Sequence, residues 1–227
     1  MRRARIALVA CVVAFVALIV PAMAFYPGGT WWDPHAVGHR FWSNFLCDLE
    51  WRTALNGTPN PVGANLAAGA MLSLVLAFVP FWPLAARLFA SRARLAASVR
   101  VLGWTSVLGM IAVALMPSER FGALHGVAVV VAGLPGLSAA VLAATGQLLA
   151  RRMLPGALGA TMVLFAITDF VLYVHTMLHG GPGPLVLPAA QKLALLLLLA
   201  WMLVVAAARP AAAGKTARDA GETPGVP

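Results

Sequence analysis

Only seven of the 227 residues are acidic and only 10% are charged at all, too few to cover the surface of an ordinary soluble domain. Cysteine is equally scarce. Cys11 sits inside the first apolar run and Cys47 in the first long connection, a pair that cannot meet if the first is buried in lipid, so neither a disulfide framework nor a cysteine-based metal site is implied. No nucleophile elbow, phosphate loop or haem-attachment motif occurs. No internal repeat and no matched pair of broken helices divides the chain into halves, which argues against the repeat architectures of many transporters.

What the chain has is apolar length. Hydrophobic residues make up 61% and mean hydropathy is +0.88, values that identify an integral membrane protein. Apolar runs near 6–25, 62–86, 99–116, 121–149, 155–178 and 185–208 are each long enough to cross a hydrocarbon core about 30 Å thick at about 1.5 Å per residue. The expected fold is therefore all-α, a polytopic bundle of six transmembrane helices forming one domain over 1–208. The remainder, 209–227, is rich in Ala, Gly and Pro without apolar periodicity and reads as a disordered cytoplasmic tail.

Charge sorts sharply along these runs. Arg2, Arg3 and Arg5 precede the first; Arg87, Arg92, Arg94 and Arg100 follow the second; Arg151 and Arg152 follow the fourth; Arg209, Lys215 and Arg218 follow the sixth. These alternate ends are cytoplasmic by the positive-inside rule, which places both termini inside a bacterial plasma membrane. The opposite ends hold only Arg40, Arg52, Arg120 and Lys192 among cations, yet all five His and the carboxylates Asp33, Asp48, Glu50, Glu119 and Asp169. The net charge of +9 is thus a topology signal and not a nucleic-acid site. Membrane lipids are the implied surroundings. Met1–Arg5, the run to Val20 and Ala22-Met23-Ala24 also fit a signal peptide, whose cleavage would leave five spans. Continuation into Phe25-Tyr26 favours a retained helix, and the outer face is the same either way.

Polar, aromatic and turn-forming residues concentrate in 26–61. Within it Phe41, Phe45 and Leu49, with Trp42 and Leu46 beside them, follow the i, i+4 spacing of a short amphipathic helix, expected to lie at the interface and cap the bundle. On that helix Ser43 follows His39 by four and Asp48 follows Asn44 by four, giving two polar rows; solvated polar residues on an interfacial helix are the plainer account.

The fifth run holds the costliest residue. Asp169 lies about 15 Å deeper than His179, where a lone carboxylate costs about 2.5–3.5 kcal/mol. Tyr173 is one turn away on the same face, and Lys192 enters the sixth run from the outer side. An Asp169–Lys192 pair relieves both charges, as does protonation of Asp169, and a structural clasp accounts for the same residues. His175 and His179 form an H-x-x-x-H pair, the spacing at which two imidazoles share a metal. His125, between Gly122 and Gly126, is the best-placed third ligand, ahead of His39, His35 and Asp48. The plainer account is that both His tolerate the interface.

Tyr26-Pro27-Gly28-Gly29-Thr30, Ser43-Asn44-Phe45-Leu46-Cys47-Asp48-Leu49 and Pro117 to His125 together resemble a family of bacterial six-span membrane proteins classed as a domain of unknown function and allied to the DRAM/Frag-type proteins. That resemblance covers about residues 6–208 and implies a helical bundle without a settled activity. A weaker similarity of pattern is to the alkaline-ceramidase and adiponectin-receptor hydrolases, seven-helix proteins whose zinc is held by one early His and a late H-x-x-x-H near a Ser and an Asp. This chain departs from them in its six spans and in the order of His39, Ser43, Asp48 and His125.

Three functions follow as expectations. One is a zinc-dependent hydrolase of lipid amides or esters at the outer face, with zinc on His125, His175 and His179, Asp48 as general base or as a hydrogen-bond partner that orients a ligand, and Ser43 as oxyanion donor. Another is a non-enzymatic binding or accessory protein whose aromatic cap and polar cluster, His39 and Asn44 among them, recognise a lipid headgroup, a quinone or a partner protein without turnover. The third, a small proton-coupled transporter using Asp169, Lys192 and His175, is disfavoured by the apolar inner halves of the helices.

Overall fold

The computed structural model describes residues 1–180 and 183–208; the expected tail at 209–227 lies outside them. Helices α1 (Arg2–Phe25), α2 (Pro61–Arg87), α3 (Ala93–Leu115), α4 (Ser118–Phe121), α5 (Ala123–Leu149), α6 (Met153–His179) and α7 (Val186–Ala207) follow in order, with one 3₁₀ turn at Cys47–Glu50 and no strand among the described residues. All but α4 are long and apolar enough to cross a membrane. The protein is an all-helical, multi-pass membrane bundle.

Neighbouring helices close into a ring: α1 packs on α2, α2 on α3, α3 on α5, α5 on α6, α6 on α7, and α7 back on α1, with α2 also reaching α5 and α7. Small residues bring the backbones together, as expected where lipid offers no hydrophobic drive to association. At the α3–α5 crossing a Cβ on Gly109 would lie 2.7 Å from the Ala132 Cα, and on the α2 side one on Gly103 would lie 2.3 Å from the Trp82 indole. α2 carries the innermost face, with Ala67, Ala70, Ala77, Phe81, Ala85 and Ala86 fully buried.

Hydropathy located the spans but not every helix end. α3 starts at Ala93, with Arg94 and Arg100 on its first turns, because arginines at a helix end do not interrupt backbone hydrogen bonding. The run at 121–149 is split: α4 forms a single turn and Gly122, at φ +48° and ψ −119°, breaks the path before α5. The first and last helices meet at one end, where the Arg5 guanidinium donates to the Ala208 carbonyl at 2.6 Å. That is the terminal end; the segment between α1 and α2 covers the other, the loop end.

The expected amphipathic helix over Phe41–Leu49 is not continuous, since only Cys47–Glu50 is helical, as a 3₁₀ turn. Side chains there take the groups a helix would use. The Arg40 amide donates to Asn44 Oδ1 at 2.8 Å and the Phe45 amide to Asp48 Oδ2 at 2.7 Å, the local competition that makes Asn and Asp poor helix formers.

Candidate functional site

The 26–60 segment forms a roof, and its fold begins at Pro27-Gly28-Gly29. Gly28 has φ +142° and Gly29 φ +86°, and a Cβ on Gly29 would lie 2.4 Å from the Asn56 amide nitrogen; only glycine threads this gap. The Gly29 amide donates to Ala36 at 2.8 Å, while the Asn44 side-chain amide donates to the Gly29 carbonyl at 2.7 Å. Tyr26, nearly fully buried, accepts the Leu55 amide on its hydroxyl at 3.2 Å. Asn60 donates to the Leu49 and Trp51 carbonyls at 3.2 and 3.0 Å.

The roof is fastened to helices on two sides. On the α7 side Gln191 Oε1 accepts the Leu46 amide at 2.9 Å, and the Lys192 ammonium donates to the Asn44 carbonyl. On the α4 side the Trp51 indole donates to Ser118 Oγ at 2.8 Å, and Glu119 accepts the Arg52 and Thr53 amides at 2.9 and 3.3 Å. Beneath the roof is a cavity of about 600 Å³, within the range of ligand pockets. Trp31, Phe45, Asp48, Glu50 and Trp51 face it from the roof; Met71, Leu74 and Val75 of α2 and Met110 and Val113 of α3 make an apolar wall; His125 of α5, Asp169, Tyr173 and Thr176 of α6 and Gln191 of α7 complete it.

Asp48 is 1% exposed and accepts three hydrogen bonds, from the Trp31 indole at 3.1 Å, the Asn44 amide at 3.3 Å and the Phe45 backbone at 2.7 Å. Burial pushes its carboxyl up to about 6, against those hydrogen bonds and the Lys192 charge. Glu50 is pushed up to about 7 by burial. His39 is driven down to about 4 by burial and then by Lys192; it is a neutral ring edge-on to Tyr26 and Phe41 at 6.0 and 6.5 Å. The Cys47 thiol is raised by burial, chiefly, and by its acidic neighbours.

The expected site residues separate into two groups. The Asn44–Asp48 row does meet, although its backbone is not an α-helix. Asp169 and Tyr173 line the cavity together with Asp48 and His125. Lys192 is fully buried, and its hydrogen bond goes to the Asn44 carbonyl instead of Asp169, with Asp48 and Asp169 near enough to attract it. Ser43 lies outside the cavity lining, so it does not stand beside Asp48 as an oxyanion donor there. His125 lines the cavity, whereas His175 and His179 are exposed at the end of α6, their rings stacked at 4.1 Å. Among the described residues no three His, Cys, Asp or Glu side chains converge as a metal group. Of the set His125, His175 and His179, the first faces the cavity and the other two stand at the exposed end of α6.

Glu50, Trp31, Trp51 and Gln191 also line the site, and no motif marked them. The crowding of acids and aromatics in one connection was the signal for the first three; Gln191 had only its place beside Lys192. His125 donates Nδ1–H to the Met116 carbonyl, which can only accept, at 2.6 Å; in the neutral tautomer this bond selects, Nε2 is the acceptor nitrogen. Comparison with protein-family models, curated proteins and solved structures yields no match. Nothing in that comparison bears on either family resemblance.

Proposed function

We propose that the protein binds a membrane amphiphile at its loop end, with the apolar part of the ligand against α2 and α3 and its polar part under the roof. One observation carries this reading: a single cavity joins an apolar wall to a polar rim of Asp48, Glu50, His125, Asp169 and Tyr173, the division that amphiphile recognition requires. The arginines clustered at the terminal end support an orientation with that end in the cytoplasm and the cavity outward in a bacterial plasma membrane. Replacing Met110 by Trp puts an indole into the apolar end of the cavity, where the ligand's apolar part would lie. Native mass spectrometry of the detergent-purified protein should then show lipid retained by the wild type and lost from Met110→Trp at equal thermal stability; equal retention by both would refute the reading.

A second reading is favoured by His125, whose fixed tautomer is the form a general base needs. In it the bound amphiphile is an ester or amide and His125 accepts a proton from water. Release of fatty acid from lipid esters that is lost in His125→Gln, with retained binding, would establish turnover. Absence of release leaves binding as the function.

A further inference from the structure

A recess of about 160 Å³ adjoins the cavity, and Glu50 and Ala114 line both. Its other polar walls are Arg52, Asn65, Glu119 and Arg120. The loop end has only three arginines, and two of them face this one recess. Glu119 is already engaged by the Arg52 and Thr53 amides. Arg52 donates one N–H to Asn65 Oδ1 at 3.3 Å, leaving most of its five donors. Glu50 stands at the junction with the cavity, where burial disfavours its ionised form.

The recess thus offers two guanidinium groups to an oxyanion and one carboxylate to a cation. With Glu50 ionised, the form an ammonium beside it favours, two Arg against two Glu leave the recess without net charge, so a neutral zwitterion keeps the balance and a monoanion does not. Guanidinium matches the oxygens of a phosphate in a way an ammonium does not. A primary amine brings N–H donors to Glu50, which a quaternary amine lacks.

We infer that this recess is the headgroup subsite of the amphiphile cavity and takes a phosphoryl-amine zwitterion, with the phosphate on Arg52 and Arg120 and the ammonium on Glu50. This rests on the amphiphile reading above. The tail would lie in the larger cavity, reached past Glu50 and Ala114.

The test loads the detergent-purified full chain from mixed micelles holding equal amounts of dioleoyl phosphatidylethanolamine, phosphatidylcholine, phosphatidylglycerol and dioleoylglycerol. Retained lipid is read by native mass spectrometry, and the fraction lost in Met110→Trp counts as cavity-bound. Phosphatidylethanolamine should exceed phosphatidylcholine and phosphatidylglycerol by about tenfold, the scale of one charge-assisted hydrogen bond, and dioleoylglycerol by more. Arg52→Gln/Arg120→Gln should reduce it to the level of dioleoylglycerol. Glu50→Gln should abolish its lead over phosphatidylcholine while both stay ahead of dioleoylglycerol. Arg120→Gln alone, which touches no roof hydrogen bond, gives the same direction if the double variant unfolds. Cavity-bound lipid without headgroup preference, or a preference indifferent to these substitutions, overturns the inference and leaves the amphiphile reading standing. No cavity-bound lipid at all overturns both.

Discussion

Glu50 ties stability to pH with a definite sign. Its folded value of about 7 lies above the usual 4.5, so between those values the folded protein holds a proton that the unfolded chain has released, and stability falls as pH rises through that window. The unfolding midpoint should drop between about pH 5 and pH 7.5, Asp48, at about 6, accounting for the lower part, and Glu50→Gln should make the upper part of the drop, from about pH 6 to pH 7.5, shallower. Scanning fluorimetry in detergent reads both. Asp48 acts differently, since its three donors are buried with it. Asp48→Ala strands those donors at about 1–3 kcal/mol for each left unsatisfied, and should lower the midpoint well below that of Asp48→Asn and expose the 26–60 segment to protease. Arg151 is the reverse case. It ends α5 at φ +56°, with the Arg151 amide on Leu148 and the Arg152 amide on Gln147 at 2.9 and 2.8 Å, a Schellman arrangement that glycine suits best. Arg151→Gly should raise stability by about 1 kcal/mol, measured by the same melt; the arginine's place at the terminal end explains a charged residue there.

Between elements, the α3–α5 crossing has no slack. A Cβ at Gly109 meets backbone at 2.7 Å, so Gly109→Val must separate the helices. It should cost more than about 2 kcal/mol and show as early unfolding, whereas Gly57→Ala, where nothing lies within 4 Å of the added carbon, should cost only its backbone strain. The spans themselves were readable because twenty-residue apolar runs have one solution in lipid. The roof was not. Phe41, Phe45 and Leu49 do carry helical spacing, but Asn44 and Asp48 divert the Arg40 and Phe45 amides to side chains, a choice that periodicity does not encode. His175 and His179 show a related limit of pattern: spacing fixes their shared face, while the neighbour that face meets is a matter of the ring order of helices. Asp169 and Tyr173 were legible as inward-facing residues because an ionisable group at membrane depth needs company, whereas His125, singled out only as a third metal ligand, lines the same cavity.

At the scale of the molecule, the sorting of arginines to one end and carboxylates and histidines to the other sets a topology that labelling can check. In a background with Cys11 and Cys47 replaced by Ser, a membrane-impermeant maleimide should reach Asn56→Cys in intact cells and reach Arg151→Cys only after permeabilisation; the reverse would invert the orientation. The same architecture gives the cavity a lid that is fastened down. Gln191 and Lys192 hold the roof from α7, and Ser118 and Glu119 hold it from the other side. Passage through the roof would break these bonds together, so the amphiphile proposed above would exchange sideways, between helices, with the bilayer as the reservoir. Its occupancy would then follow the mole fraction of the ligand among the surrounding lipids and not its concentration in water. Diluting a vesicle suspension should leave the site full, and diluting the ligand lipid within the vesicle should empty it.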